Sequence, residues 1–125
     1  MKTLFSRIVH MALAVPMIIF GLNKFLLFAD VPPPAGAQAQ AFLGALFTSY
    51  LAPLVGATEI IAGVLLLFSR TAFMGTLWLL PVTVNIAVFH VAHDLPGNGI
   101  WIVTTLLHGL VCYDQRESFR QLVNI

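Results

Sequence analysis

Long apolar stretches separated by short polar or proline-rich breaks run the length of this chain, and the breaks define its elements. Apolar residues extend from about Phe5 to Phe28 with Pro16 among them, which should kink a helix or free a carbonyl. Pro32, Pro33 and Pro34, within Asp30 to Gly36, preclude helix and predict a stiff turn. After it Phe42, Leu43, Leu46, Phe47 and Tyr50 recur at helical spacing opposite Gln38, Gln40, Ala41 and Thr48, the pattern of a short interfacial helix over about 37–50. Helix two is predicted from Leu51 to Phe68 and helix three, interrupted by Pro81, from about Ala72 to His93. Their link, Ser69-Arg70-Thr71, is so short that the two must lie antiparallel. Asp94-Leu95-Pro96-Gly97-Asn98-Gly99 reads as a turn, and helix four follows from Ile100 to about Tyr113. The tail, 114–125, is amphipathic, with Phe119, Leu122 and Val123 on one side.

A membrane-spanning helix needs about 20 mostly apolar residues, so four stretches and a loop account for the 125 residues. Composition points the same way: 59% hydrophobic residues, 9% charged and a mean hydropathy of +0.94 fall outside the soluble range. The expected fold class is all-α, an antiparallel four-helix transmembrane bundle with a short interfacial helix between helices one and two. It forms a single integral membrane domain with no soluble domain. Lys2 and Arg7 precede helix one, Arg70 lies between helices two and three, and Arg116 and Arg120 follow helix four. The positive-inside bias therefore places both termini in the cytoplasm, and only Lys24 breaks the pattern. Although Lys2, Arg7 and Ala35-Gly36-Ala37 resemble parts of a signal peptide, the first apolar run is too long for one and is read as a membrane helix. The formal net charge of +1 is uninformative as a total, and no nucleic-acid partner is expected.

Against this background Glu59 stands out, because an ionised side chain inside an apolar span costs roughly 2.5–3.5 kcal/mol or more and needs a partner. Candidates are Lys24, Asn85, His90 and His108. Counting about 1.5 Å per residue from Arg7, Arg70 or Arg116 puts Glu59 ~16 Å above the inner edge, His108 ~12 Å, Asn85 ~22 Å, Lys24 ~25 Å and His90 ~30 Å. A Lys24–Asn85–Glu59 network across helices one, three and two fits these levels. Three readings of it stay open: a packing lock, a polar cavity for a ligand or protons, and a Lys24 that snorkels outward. Gly21 is three residues before Lys24, Gly56 is three before Glu59, and Gly63 lies on the same face, so close helix approach is expected beside the charges.

Metal chemistry finds little support. His90, His93 and Asp94 are not a full ligand set, and His10, His108 and His90 lie at depths too different for axial ligation of one haem. Cys112 reads as a small, reduced, apolar residue, and Trp78 and Trp101 as lipid or interface contacts.

Several segments together resemble the DoxX-like family of small four-helix bacterial membrane proteins. They are Gly21-Leu22-Asn23-Lys24-Phe25, the run from Gly56 through Glu59 and Gly63 to Leu67, Arg70, and Pro81 through Asn85 to His90. The resemblance implies a multi-pass protein of the bacterial cytoplasmic (inner) membrane in a redox setting; the candidate ligand-binding or polar cluster is Lys24, Glu59, Asn85, His90, Asn23 and His108. Without a second cysteine, a flavin motif or a nucleotide motif, the reading leans away from catalysis. The expectation is an accessory or anchoring subunit of a redox or respiratory assembly, its flanks covered by lipid, a larger complex or a copy of itself. A quinone-binding redox protein is the first alternative, with quinone or lipid as the possible ligand. An oligomeric proton or solute conduit is the second.

Overall fold

A computed structural model describes residues 3–30, 32–95, 97 and 99–124. Lys2 and the turn positions Val31, Pro96 and Asn98 lie outside the described residues, so what the sequence predicts for them has no structural counterpart here. The described residues form six helices: α1 (Leu4–Leu26), α2 (Ala37–Phe47), α3 (Leu51–Leu67), α4 (Ala72–His93), α5 (Ile100–Asp114) and α6 (Arg116–Val123).

The limits of α1 have local causes. At its start the Thr3 hydroxyl accepts the Ser6 N–H at 3.1 Å, satisfying an amide that the first turn leaves without a partner. At its end Leu27 turns left-handed, with φ 53°, an uncommon conformation for a residue with a Cβ. Asn23 holds that turn: its side-chain oxygen accepts Ala29 N–H at 2.9 Å and its amide donates to Ala29 O at 3.1 Å. Pro53 falls in the first turn of α3, where a missing N–H costs nothing.

The chain bends by 78° between α2 and α3, which folds α2 back toward α4 and packs Phe42 on Phe89 with centroids 5.0 Å apart. Four long helices close into an antiparallel ring in the order α1, α3, α4, α5. Its core is Val9, Leu13, Ala14 and Met17 of α1, Ala62 and Leu66 of α3, Leu79 of α4 and Val111 of α5. At the end carrying Arg7, Arg70 and Arg116, here the basic end, α5 breaks at Gln115. α6 then turns under the bundle with Phe119 edge-on to Phe73 at 5.0 Å.

Glycine sets how closely α3 and α4 approach. A Cβ on Gly75 would sit 2.8 Å from the Ala62 carbonyl oxygen, so the helices touch backbone to backbone. The outside of the ring is apolar: Ile8, Met11, Val15 and Ile19 of α1, Met74, Val84, Val88 and Val91 of α4, and Val103 and Leu106 of α5 are all exposed. By length and composition α1 and α4 are long and apolar enough to cross a membrane, and α2 with α3 could form a third, bent span. Helix two of the sequence reading comes out at 17 residues and helix four at 15. The first starts at Leu51 as expected and stops one residue early because Phe68 is extended, and the second runs on to Asp114 before the break at Gln115.

This packing separates two kinds of glycine. Gly75→Ala must push α3 from α4 and should destabilise the fold by about 1–3 kcal/mol. Gly109, with no atom within 4 Å of its would-be Cβ, should gain about 0.5–1 kcal/mol as alanine through helix propensity alone. Equilibrium unfolding of both variants checks the contrast, and equal responses would mean that α3 and α4 are not in backbone contact.

Candidate functional site

Lys24 and Glu59 meet directly. Lys24 Nζ lies 2.7 Å from Glu59 Oε1, with the carboxylate side chain 1% exposed and the lysine side chain 17%. The ammonium stands at ion-pair distance from a carboxylate oxygen that no other group among the described residues hydrogen-bonds. A seam of glycines makes the meeting possible. A Cβ on Gly21 would fall 2.6 Å from Gly56 O, and one on Gly56 would fall 2.9 Å from Gly21 O and 3.0 Å from Lys24 Cβ. Farther along, a Cβ on Gly63 would lie 2.9 Å from Ala14 O. Bare backbone at these positions lets α1 lie on α3 and leaves room for the lysine stem to run along the seam toward the carboxylate.

The other residues singled out in the sequence lie elsewhere. Asn85 is exposed on α4 rather than between Lys24 and Glu59. It follows the buried Thr83 by two positions, about 200° around a helix of 3.6 residues per turn, so the face that buries Thr83 turns Asn85 outward. Asn23 clasps the exit of α1, as described above, and takes no part in the pair. His90 donates from Nδ1 to Ile86 O at 2.9 Å, stacks on Trp101 at 5.1 Å and 9°, and has Asp94 Oδ2 at 3.7 Å from Nε2. His93 is exposed. Among the described residues no group of three His, Cys, Asp or Glu is placed to hold a metal.

His108 forms a separate polar link between α5 and α4. Its Nε2 is 3.2 Å from Thr76 O, an atom that only accepts, so that nitrogen carries the proton; Nδ1 then accepts from the Thr83 hydroxyl at 2.8 Å. With both ring nitrogens engaged and the side chain buried, His108 joins helices as a neutral imidazole.

A third cluster, at the basic end, was not singled out by the sequence reading. Ser6 donates to Asp114 Oδ2 at 2.6 Å, His10 Nδ1 donates to Ser6 O at 2.7 Å, and Gln115 donates its amide to His10 Nε2 at 2.9 Å. Ser6, His10 and Gln115 are all buried. A faint signal was present: Ser6 and His10 share a helical face, and Asp114-Gln115 ends an apolar run.

Uncharacterized protein YwoB of Bacillus subtilis (strain 168) is 32% identical to this chain over 116 residues, covering 86% of the chain and 74% of the relative. The chain belongs to the YwoB family. No family model matches it, and no solved structure does. For this YwoB relative, then, function has to be argued from the arrangement of its own side chains.

The charge pair gives a direct test. Glu59→Gln leaves a part-buried ammonium without its counter-charge and should cost about 2–3 kcal/mol, since losing one member of a desolvated pair exposes the desolvation cost of the other. Lys24→Met in the same chain should restore most of that loss. A double-mutant cycle of unfolding free energies measures the coupling; strictly additive losses would show that the two side chains do not interact.

Proposed function

We propose that this YwoB-family chain is a non-catalytic accessory or anchoring subunit of a bacterial membrane assembly. It spans the cytoplasmic membrane four times as an antiparallel helical bundle, with both termini inside. The observation that carries this reading is the closed Lys24–Glu59 pair, a strong interhelical link in an apolar ring. Its ammonium and carboxylate serve each other, and the glycine seam brings the backbones too close for a substrate to lie between them. Support for membrane insertion comes from the apolar exterior and the length of α1 and α4. Orientation rests on Arg7, Arg70, Arg116 and Arg120.

The quinone alternative needs donors converging on an apolar slot. Lys24 is committed to Glu59, Asn85 faces outward, and His90 is held by Ile86 and Trp101, so these donors do not converge. A conduit would link Glu59 to His108, yet Glu59 pairs across the α1/α3 seam and His108 bonds across α4/α5. An apolar groove of about 290 Å³ between α1 and α5, lined by Pro16, Met17, Phe20, Val103 and Leu107, suits the flank of a partner helix better than a redox head group. The DoxX-like resemblance makes a redox or respiratory complex the partner to seek first.

Topology and partnership are checked separately. In a Cys112→Ala background, cysteines at Ala35 and Leu95 should react with an impermeant thiol reagent from outside intact cells, and one at Glu117 only after the membrane is opened. The reverse pattern would overturn the orientation. Extraction in mild detergent should recover the chain with a defined larger membrane complex. A chain that runs alone and binds quinone stoichiometrically would replace the subunit reading with the quinone one.

A further inference from the structure

At the basic end a cavity of about 70 Å³ is lined by Ser6, Arg7, His10, Ser69, Gln115 and Ser118, with Leu66, Ala72 and Phe73 behind them. Two features mark it as built for an occupant. Gln115 is 3% exposed, and while its amide nitrogen is spent on His10, its carbonyl oxygen Oε1 has no hydrogen-bond partner among the described residues. A buried acceptor left so is uncommon in folded proteins and calls for a donor. Arg7, on the same wall, forms no ion pair with a carboxylate among the described residues; its guanidinium makes only long contacts, 3.4 Å to Leu67 O and 3.3 Å to Ser69 Oγ. Asp114 is not part of the lining, and its Oδ2 accepts from Ser6.

A guanidinium with no carboxylate partner among the described residues, serine hydroxyls and a carbonyl acceptor with no donor among them together ask for a group that is both an anion and a hydroxyl donor. Planar guanidinium suits phosphate oxygens, and a carbonyl acceptor suits an alcohol. The cavity has space for several waters or one head-group fragment, but not for an acyl chain. We infer that this pocket binds a hydroxylated phosphate ester, the phosphate on Arg7 and a hydroxyl on Gln115 Oε1. The assignment to an anionic phospholipid head group such as phosphatidylglycerol rests on the membrane reading above, which puts the basic end at the level of the inner-leaflet phosphates. Ser6, His10 and Gln115 would tie the ends of α1, α5 and α6 around that head group.

Native mass spectrometry of the detergent-solubilised full chain, with defined lipids added, tests this. Phosphatidylglycerol should be retained about tenfold more strongly than phosphatidylmethanol, which keeps the phosphodiester but lacks the hydroxyls, and phosphatidylcholine should bind least. Arg7→Gln should lower phosphatidylglycerol binding roughly tenfold, and Gln115→Met should remove the preference over phosphatidylmethanol. Melting temperatures report whether the variants fold; if Gln115→Met does not, the comparison of lipids on the unaltered protein decides alone. Equal retention of all lipids, or indifference to Arg7→Gln in a folded protein, would overturn the site. Glycerol 1-phosphate competing as well as the lipid would uphold the chemistry and assign the pocket to a soluble ester. Membrane fractionation is read independently: a chain that stays with the soluble fraction defeats the membrane reading, whatever the lipid result.

Discussion

Contact between the backbones of α1 and α3 is the constraint from which the rest of this structure follows. A lysine and a glutamate in apolar surroundings are tolerable only together, and here they come together because Gly21 and Gly56 let each helix press on the other's carbonyl oxygens. Cause runs both ways. Without the glycines Lys24 could not reach along the seam, and without the charges close approach would rest on dispersion alone. Once α1 and α3 are fixed, the short link through Arg70 returns α4 antiparallel to α3, and Gly75 lets it lie against Ala62. α5 then closes the ring against α4 and α1.

The chain spends its buried polar groups on joining helices. Three sets of them lie where two or three elements meet: Lys24–Glu59 on α1/α3, His108 with Thr76 and Thr83 on α4/α5, and Ser6, His10, Asp114 and Gln115 where α1 meets the α5–α6 break. If the exterior of the ring faces lipid, no hydrophobic driving force holds the helices together, and close packing and polar links must do so. An all-helical chain with exposed Ile8, Val15, Val84 and Leu106 and with buried Glu59 and His108 is arranged as that environment requires.

Much of this was legible from the residue pattern. Apolar runs broken by three prolines or by Ser69-Arg70-Thr71 end helices for reasons local to the chain, and counting residues along a helix gives height. The meeting of Lys24 with Glu59 was legible because few ionisable groups lie near that level. Rotation was not legible. Asn85 shared the right height but stands on the outer face of α4, because α4 is apolar nearly all round and no stripe marks its inner side. Asn23 belonged by sequence neighbourhood to the cluster, yet an asparagine near a helix end has a closer choice in the backbone just beyond it, and it takes Ala29. His10 was weighed only as a haem ligand and set aside on depth, and Gln115 was not weighed at all. What buries them is the break at Gln115 and the return of α6, a tertiary feature with no period to read.

These clusters differ in what faces their buried polar atoms. Both nitrogens of His108 are engaged, and Glu59 Oε1, though without a hydrogen bond among the described residues, has the Lys24 ammonium at 2.7 Å. At the basic end the bonds run in one direction, from Gln115 to His10 to Ser6 O, and the chain of donors starts at an amide whose own oxygen receives nothing, neither donor nor charge, from the described residues. Helix packing alone would be served as well by an apolar residue at that position, without the cost of burying an unpaired carbonyl. A glutamine there gains its full set of bonds only when something with a proton to donate enters beside Arg7. On the proposed lipid site, recognition falls at the margin of the bundle, while the Lys24–Glu59 charges join α1 to α3.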